Sequence, residues 1–226
     1  MKKIKESRKT RKGVHPAYRK DLAASAAVEN APLPELLVVS MAQHLGAPAV
    51  PAVEKKQEVL GGQVIAEAGG FISACVHAPS SGVVKSIESR PTPAGRNAQA
   101  VIIETDGQDR FVERRKPGKE WSAMSSEELV SLVKDAGIIG MGGAGFPTHV
   151  KLSPPPEKKI DTLIINGAEC EPYLTADYRL MLECADEIRQ GVEIIMRLLQ
   201  PDNVRIAVED NKPYAVKKKK KAFSGA

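Results

Sequence analysis

The chain has 226 residues with a hydrophobic fraction of 42%, enough to bury a sizeable core in one large domain or two modest ones. Its formal net charge of +5 is uneven: residues 1–20 and 211–226 hold nine and six of the Lys and Arg side chains, leaving 18 basic and 27 acidic residues over 21–210, a net of −9. An acidic body between basic ends argues against nucleic-acid binding, which needs a basic face on the folded part. No apolar run reaches the ~18 residues of a membrane-crossing helix.

Residues 1–30 read as a basic leader, partly extended. It has no apolar segment of the kind a secretory signal requires. Basic ends of this sort are either solvated or drawn to anionic lipid or an acidic partner. Pro32 and Pro34 open the strand-like run "ELLVVSMAQH". Residues 31–107 show short apolar pairs separated by Gly, Pro and charged turns, the texture of an all-β sandwich or barrel. "QAVIIETDG" reads as its closing strand, and 108–123 as a charged linker.

Within the β region, "VEKKQEVLGGQVIAEA" and "VHAPSSGVVKSIE" resemble the two halves of a lipoyl/biotinyl-like barrel-sandwich hybrid. The carrier proteins of that group bear a modified lysine at the hairpin tip between the halves. The tip here is "AGGFISAC", without a lysine, so the expectation is a rigid docking or spacer module.

A helix is predicted from "SSEELVSLVKDAG", with Ser125 or Ser126 as cap, Glu127 and Glu128 in the first turn and Gly137 as terminator. Leu129, Leu132 and Val133 would form its apolar face. Beyond the proline-rich "SPPPEKK", "IDTLIING" reads as a buried parallel strand. The long amphipathic stretch "TADYRLMLECADEIRQGVEIIMRLL", interrupted by Gly191, leads to a second buried strand, "NVRIAVED". This order predicts an α/β domain over 124–213 with a partly parallel, Rossmann-like sheet. It reads as shorter than a full unit of that kind, and a Lys-rich tail follows over 214–226. The fold class is therefore α+β multidomain.

Between the predicted helix and strand lies "IIGMGGAGFPTHVKL". Gly140, Gly142, Gly143 and Gly145 lack Cβ atoms, so backbone N–H groups there can approach an anion or a flat ring closely. A P-loop is excluded because no GK[ST] follows, and a helix rather than a strand precedes the loop, unlike the usual dinucleotide fingerprint. Composition alone leaves a tight connection equally open.

The longer string "GMGGAGFPTHVKL" resembles the flavin and dinucleotide loop of the NADH-oxidising flavoprotein of respiratory complex I, and "NGAECEPYLTADYRLM" resembles its second motif. Together with the barrel-sandwich segment, the order is similar to that of the RnfC family, whose members are peripheral subunits of the Rnf ion-translocating electron transport complex. The resemblance covers residues 12 to 213.

It implies FMN packed on Gly140, Gly142, Gly143 and Gly145, with Lys151 at its phosphate or ribityl oxygens and Asn166 and Glu169 beside it. Phe146 would stack on NADH, and Glu171 would accept from a ribose hydroxyl or the carboxamide. It implies hydride transfer from NADH to FMN and electron flow onward to [4Fe-4S] clusters, with membrane subunits of the complex and, indirectly, ferredoxin as partners. The implied location is the cytoplasmic face of a bacterial inner membrane, as a peripheral protein. The alternative is a non-catalytic docking subunit of the same kind of complex.

Two positions depart from the complex I pattern: Met141 stands where those relatives carry an arginine, and Ala168 where they carry an acid. The family's CxxCxxCxxxCP cluster motifs have no counterpart in this sequence. Cys75, Cys170 and Cys184 form no CxxC, read as free thiols in a reducing cytoplasm, and give no metal site. Cys170 reads as a small filler and Cys184 as core. His15, His44, His77 and His149 are expected at the surface or with their hydrogen bonds satisfied. Without the resemblance, Glu169 and Glu171 would read as acids ahead of a helix N-terminus.

Overall fold

The computed structural model describes residues 16–113, 120–141, 143 and 145–223. His15, Gly142 and part of the predicted linker lie outside them. Contacts divide the chain into two units. One is Asn30–Asp161 with Glu193–Asp202; the other draws on Met1–Glu29, Thr162–Val192 and Asn203–Ala226.

The first unit begins with β1 (Leu36–Ser40), β2 (Val50–Pro51), β3 (Glu58–Val59), β4 (Val64–Glu67), β5 (Val76–His77), β6 (Gly82–Pro91) and β7 (Asn97–Thr105). They form two antiparallel sheets, ordered β1-β7-β6-β3 and β2-β4-β5. The long β6–β7 hairpin runs in register from Gly82↔Thr105 to Pro91↔Asn97, with an irregularity between Val84 and Ser86. Such a bulge increases local twist, which lets a sheet curl over its own core.

That core is aliphatic: Val39, Met41, Val59, Ile65, Val84, Val101 and Ile103 are at most 5% exposed and form one cluster. The absence of rings fits the low aromatic content, 4% of the sequence. Alternation places Leu37 and Val39 of β1 inward and leaves Leu36 and Val38 exposed.

The "APSSG" turn is held by side chains. Ser80 Oγ donates to Asp109 Oδ1 at 2.6 Å, and Ser81 Oγ donates to Asp106 Oδ1 at 2.7 Å. Hydrogen bonds from Arg110, the Gln108 backbone and Ser81 hold the Asp106 carboxyl down at about 2.

The "AGGFISAC" tip is folded back. The Gly69 N–H donates to Ser73 Oγ, the Ala74 N–H to His44 Nε2 and the Ala47 N–H to the Ile72 carbonyl. A rigid brace is the opposite of a mobile arm.

Helix α1 (Ser126–Asp135) starts with a reciprocal capping box. The Glu128 N–H donates to Ser125 Oγ at 3.2 Å, and the Ser125 N–H donates to Glu128 Oε2 at 2.7 Å. Ser125 is thus the cap, and Glu128 is the reciprocal acid. Leu129 is buried but Leu132 is 42% exposed, so the apolar face is narrower than expected. Gly137 follows the helix at φ +65, a left-handed position where a side chain would run into the Cys75 carbonyl. Helix α2 (Thr148–Lys151) is a single turn.

The second unit contains β8 (Thr162–Gly167) and β9 (Asn203–Val208), paired in parallel and in register from Thr162↔Asn203 to Gly167↔Val208. Helices α3 (Ala176–Glu183) and α4 (Ala185–Leu199) lie between these strands in the chain, and α5 (Pro213–Phe223) follows. Parallel pairing with a helical crossover agrees with the sequence reading.

Three expectations are corrected. The strands are half-buried rather than buried: both alternate, and Ile164 is 63% exposed, because among the described residues the sheet has only these two strands. The long helix breaks at Cys184, with φ −119 and ψ 40, and not at Gly191, which lies within α4. The Lys-rich stretch is helical from Pro213 to Phe223 rather than a solvated tail. α5 is anchored by Ala215, which is fully buried, while Lys217 and Lys218 stay exposed.

The leader also joins this unit. The Tyr173 N–H donates to the Tyr18 carbonyl at 2.7 Å. Arg179 donates to the Ala24 carbonyl at 3.2 Å, and the Val28 N–H to Glu183 at 3.2 Å.

Candidate functional site

The glycine loop, in the first unit, is a closed structure. Ile139 and Pro147 form an isolated bridge. The Gly140 N–H donates to the Phe146 carbonyl and the Thr148 N–H to the Ile138 carbonyl, both at 2.9 Å. The described glycines serve different purposes. Gly145 has φ +64, and a Cβ there would lie 3.1 Å from the Gln43 carbonyl oxygen, so this position needs both the left-handed freedom and the missing side chain. At Gly140 a Cβ would lie 2.5 Å from Lys151 Nζ, so the lysine is folded back over bare backbone. At Gly143 a Cβ would meet nothing within 4 Å; that position faces open space. Gly142 lies outside the described residues.

Gly140, Met141, Gly143 and Gly145 line one wall of an open groove of about 1180 Å³. Gln43, His44, Arg96, Asn97 and Gln99 are among the barrel residues lining it. No carboxylate is among its described lining residues, and Arg96 brings a guanidinium. Met141 is 88% exposed. A glycine surface with a lysine folded onto it, opening on a groove without acids, has the chemistry to hold a phosphate-bearing ligand. The loop therefore fits the phosphate end of a flavin nucleotide. Phe146 is half-buried beside it.

His149 departs from the expected satisfied histidine. It is 6% exposed, and its Nδ1 has no hydrogen-bond partner among the described residues. Burial pushes its pKa down, the nearby Lys134 charge pushes the same way, and a hydrogen bond to the Phe71 backbone opposes them. His44 and His77 are half-buried, and His44 accepts from the Ala74 N–H.

The second unit carries the remaining candidates at the carboxyl end of β8. Asn166 is exposed, and its Oδ1 accepts from the Ala168 N–H at 3.1 Å, closing a local turn. Cys170 and Glu171 are exposed. Glu169 points inward instead and is 3% exposed. One of its oxygens accepts from the Asp177 N–H at 2.8 Å, in the first turn of α3. The other lies 3.2 Å from Lys212 Nζ and 3.5 Å from Lys20 Nζ. Burial alone would raise its pKa. The Asp177 N–H, Lys212 and Lys20 together outweigh that and hold the carboxyl below its ordinary value.

Lys212 is itself only 4% exposed and also pairs with Glu209 at 3.1 Å. Lys20 additionally donates to the Glu169 carbonyl, and to the Leu174 carbonyl at 2.9 Å. Sequence reading missed Lys20 and Lys212, because each was counted within a basic end. Arg96, in the turn "TPAGRN", carries no motif that would have marked it.

Among the described residues, no three His, Cys, Asp or Glu side chains gather into a metal site, and no helix is long and apolar enough to cross a membrane. All three cysteines are free; Cys75 and Cys184 are half-buried.

An antiparallel barrel followed by a glycine loop and a parallel βαβ crossover defines a barrel sandwich hybrid joined to a flavin-binding type of domain. Residues 8–108 match the family described as the RnfC barrel sandwich hybrid domain, and residues 133–226 match the Nuo51 FMN-binding domain. The chain belongs to the RnfC family. It is 48% identical over 215 residues to the RnfC-type subunit of the proton-translocating ferredoxin:NAD(+) oxidoreductase complex of Clostridium ljungdahlii, covering 95% of this chain and 47% of that protein. It is 42% identical to the corresponding subunit of the Na(+)-translocating complex of Acetobacterium woodii, covering 93% of this chain and 48% of that protein. The corresponding subunit of the ion-translocating oxidoreductase complex of Pseudomonas aeruginosa is 44% identical, covering 87% of this chain and 26% of that protein. The chain thus spans about half the length, or less, of these curated relatives.

Proposed function

We propose that this chain is the flavin- and NADH-binding portion of an oxidoreductase subunit that serves an ion-translocating electron transport complex. The observation that carries the reading is the Lys151 ammonium lying over the bare backbone of Gly140, at a groove with no carboxylate among its described lining residues. FMN, when bound, supplies the hydride-accepting and electron-relaying chemistry.

The chain's own residues bind and orient. Lys151 neutralises the flavin phosphate, and Gly140, Gly142, Gly143 and Gly145 let it approach the backbone. Arg96 supplies a guanidinium in the groove that Met141 also lines, where Met141 replaces the arginine of the complex I pattern. Phe146 offers a ring to NADH, Asn166 an amide to the ribityl chain, and Glu171 an acceptor to a ribose hydroxyl. The [4Fe-4S] clusters expected in such a subunit take their ligands from other residues than the three cysteines here. Partners are the membrane subunits of the complex and, through them, ferredoxin, with the protein peripheral at the cytoplasmic face.

The test is titration of the full chain with FMN, followed by flavin fluorescence. Saturable quenching is expected. Lys151→Ala should weaken it about tenfold or more, since a hydrogen bond to a charged group contributes ~1.5–3 kcal/mol. Gly143→Val places its side chain where the fold leaves space, so it should weaken binding without changing the circular dichroism spectrum. Quenching that neither substitution alters would overturn the loop assignment. A folded chain that never quenches would favour the docking subunit.

A further inference from the structure

The turn that presents Asn166, Cys170 and Glu171 is built around an ionic cluster supplied partly by the N-terminal segment. Thr175 is the N-cap residue of α3, yet its side chain makes no capping hydrogen bond. Glu169 takes over that task from six residues away, accepting the Asp177 N–H at 2.8 Å. A carboxylate there also meets the positive end of the helix. The same carboxylate holds Lys212, in the turn that follows β9, and Lys20, in the 3-10 turn Lys20–Leu22.

Lys20 closes the structure from the other side. Its ammonium donates to the carbonyls of Glu169 and Leu174, which bracket the turn. The adjoining backbone adds the bond from the Tyr173 N–H to the Tyr18 carbonyl, with Tyr173 at φ +69. That left-handed conformation is rarely adopted by a large side chain, so surrounding contacts must enforce it. The side chain of Lys20 is 13% exposed and that of Lys212 is 5% exposed, so both charges have left water. Glu169 is turned away from solvent, whereas its neighbours Cys170 and Glu171 are exposed.

We infer that Glu169, Lys20 and Lys212 form a positioning cluster, with Lys20 acting as a latch from the N-terminal segment that fixes the 168–175 turn and aims Asn166 and Glu171 at the bound nucleotide. The latching is independent of the proposed function; the aim at a nucleotide rests on that reading. Glu169 then acts through the turn and touches no ligand. The N-terminal segment is correspondingly part of the binding apparatus and not a membrane tether.

Lys20→Gln removes the charge at the least buried member of the cluster, so the chain should still fold. Hydrogen exchange, measured without ligand, reads the latch directly. The Tyr173 and Asp177 amides should lose protection by about tenfold or more, while amides of the β6–β7 hairpin keep theirs. Lys20→Arg, which keeps the charge, should restore part of that protection. FMN and NADH titrations follow on the same proteins. Lys20→Gln should weaken binding, whereas Ile103→Ala, a barrel-core change remote from the cluster, should not weaken it at a temperature where the protein stays folded. Unchanged protection at both amides in Lys20→Gln would overturn the latch, whatever the ligand does. Lost protection with unaltered binding would overturn the positioning role. A wild-type chain that binds neither nucleotide would count against the proposed function while leaving the exchange result standing as the measure of the latch.

Discussion

The two units are held together by different physics. The barrel buries a contiguous aliphatic cluster, with Met41, Ile65, Val84, Val101 and Ile103 fully excluded from water. The α/β unit buries far less apolar material, chiefly Met181, Ala185, Val192 and Ala215, and encloses Glu169 and Lys212 instead. A hydrophobic core is insensitive to pH and tolerates shape-conserving exchange. A buried ionic cluster is sensitive to pH and depends on every member being present, because removing one leaves an uncompensated charge. The comparison teaches that the rigid module of this chain is the barrel, and that the turn presenting its strand-end candidates is set by charge.

The sharpest test of that contrast removes the hub of the cluster. Glu169→Ala strands the Lys20 and Lys212 ammoniums and should cost about 3–5 kcal/mol in urea unfolding. The effect should depend on pH. The Glu169 carboxyl is held below its ordinary value of 4.5, so its ionised form stabilises the fold above that pH, and the contribution disappears as pH falls through the folded value. The wild-type protein should therefore lose stability on acidification in a step that the variant lacks. An identical acid limb in both would show that charge does not organise this unit.

The matching experiment in the barrel is Ile103→Ala. It should cost about 2–5 kcal/mol through lost burial and an unfilled cavity. That penalty should stay the same between pH 7 and pH 4, and a marked pH dependence would break the comparison. The smallest expected effect is at α1. Ser125→Ala removes one half of the capping box and should lower stability by about 1 kcal/mol, read as a small shift in the thermal midpoint with the β-sheet signal unchanged.

Much of this was legible in advance for particular reasons. The barrel announced itself through "GGQVIAEA" and "APSSGVV", because small residues and alternation encode turns and strand faces locally. The cap at Ser125 was readable because capping acts within four residues. The break between α3 and α4 was not, because Cys184 carries no helix-stopping chemistry, whereas Gly191 looks like a breaker and is accommodated in mid-helix. The half-exposure of β8 and β9 was also hidden, since an apolar run does not reveal how many strands flank it. The glycine loop was recognisable as a string, yet the differing needs of Gly140, Gly143 and Gly145 depend on Lys151, on open space and on the Gln43 carbonyl respectively.

The amino-acid sequence by itself determined the order of the parts: a β barrel, a capped helix, a glycine loop, then alternating strand and helix. These follow from periodicity, turn chemistry and caps, all of which act over a few residues. Only the tertiary structure decided the fate of the charges. Lys20 and Lys212 are separated from Glu169 by 149 and 43 residues, and at such separations the chain fold alone settles which lysine meets water and which meets a buried carboxylate.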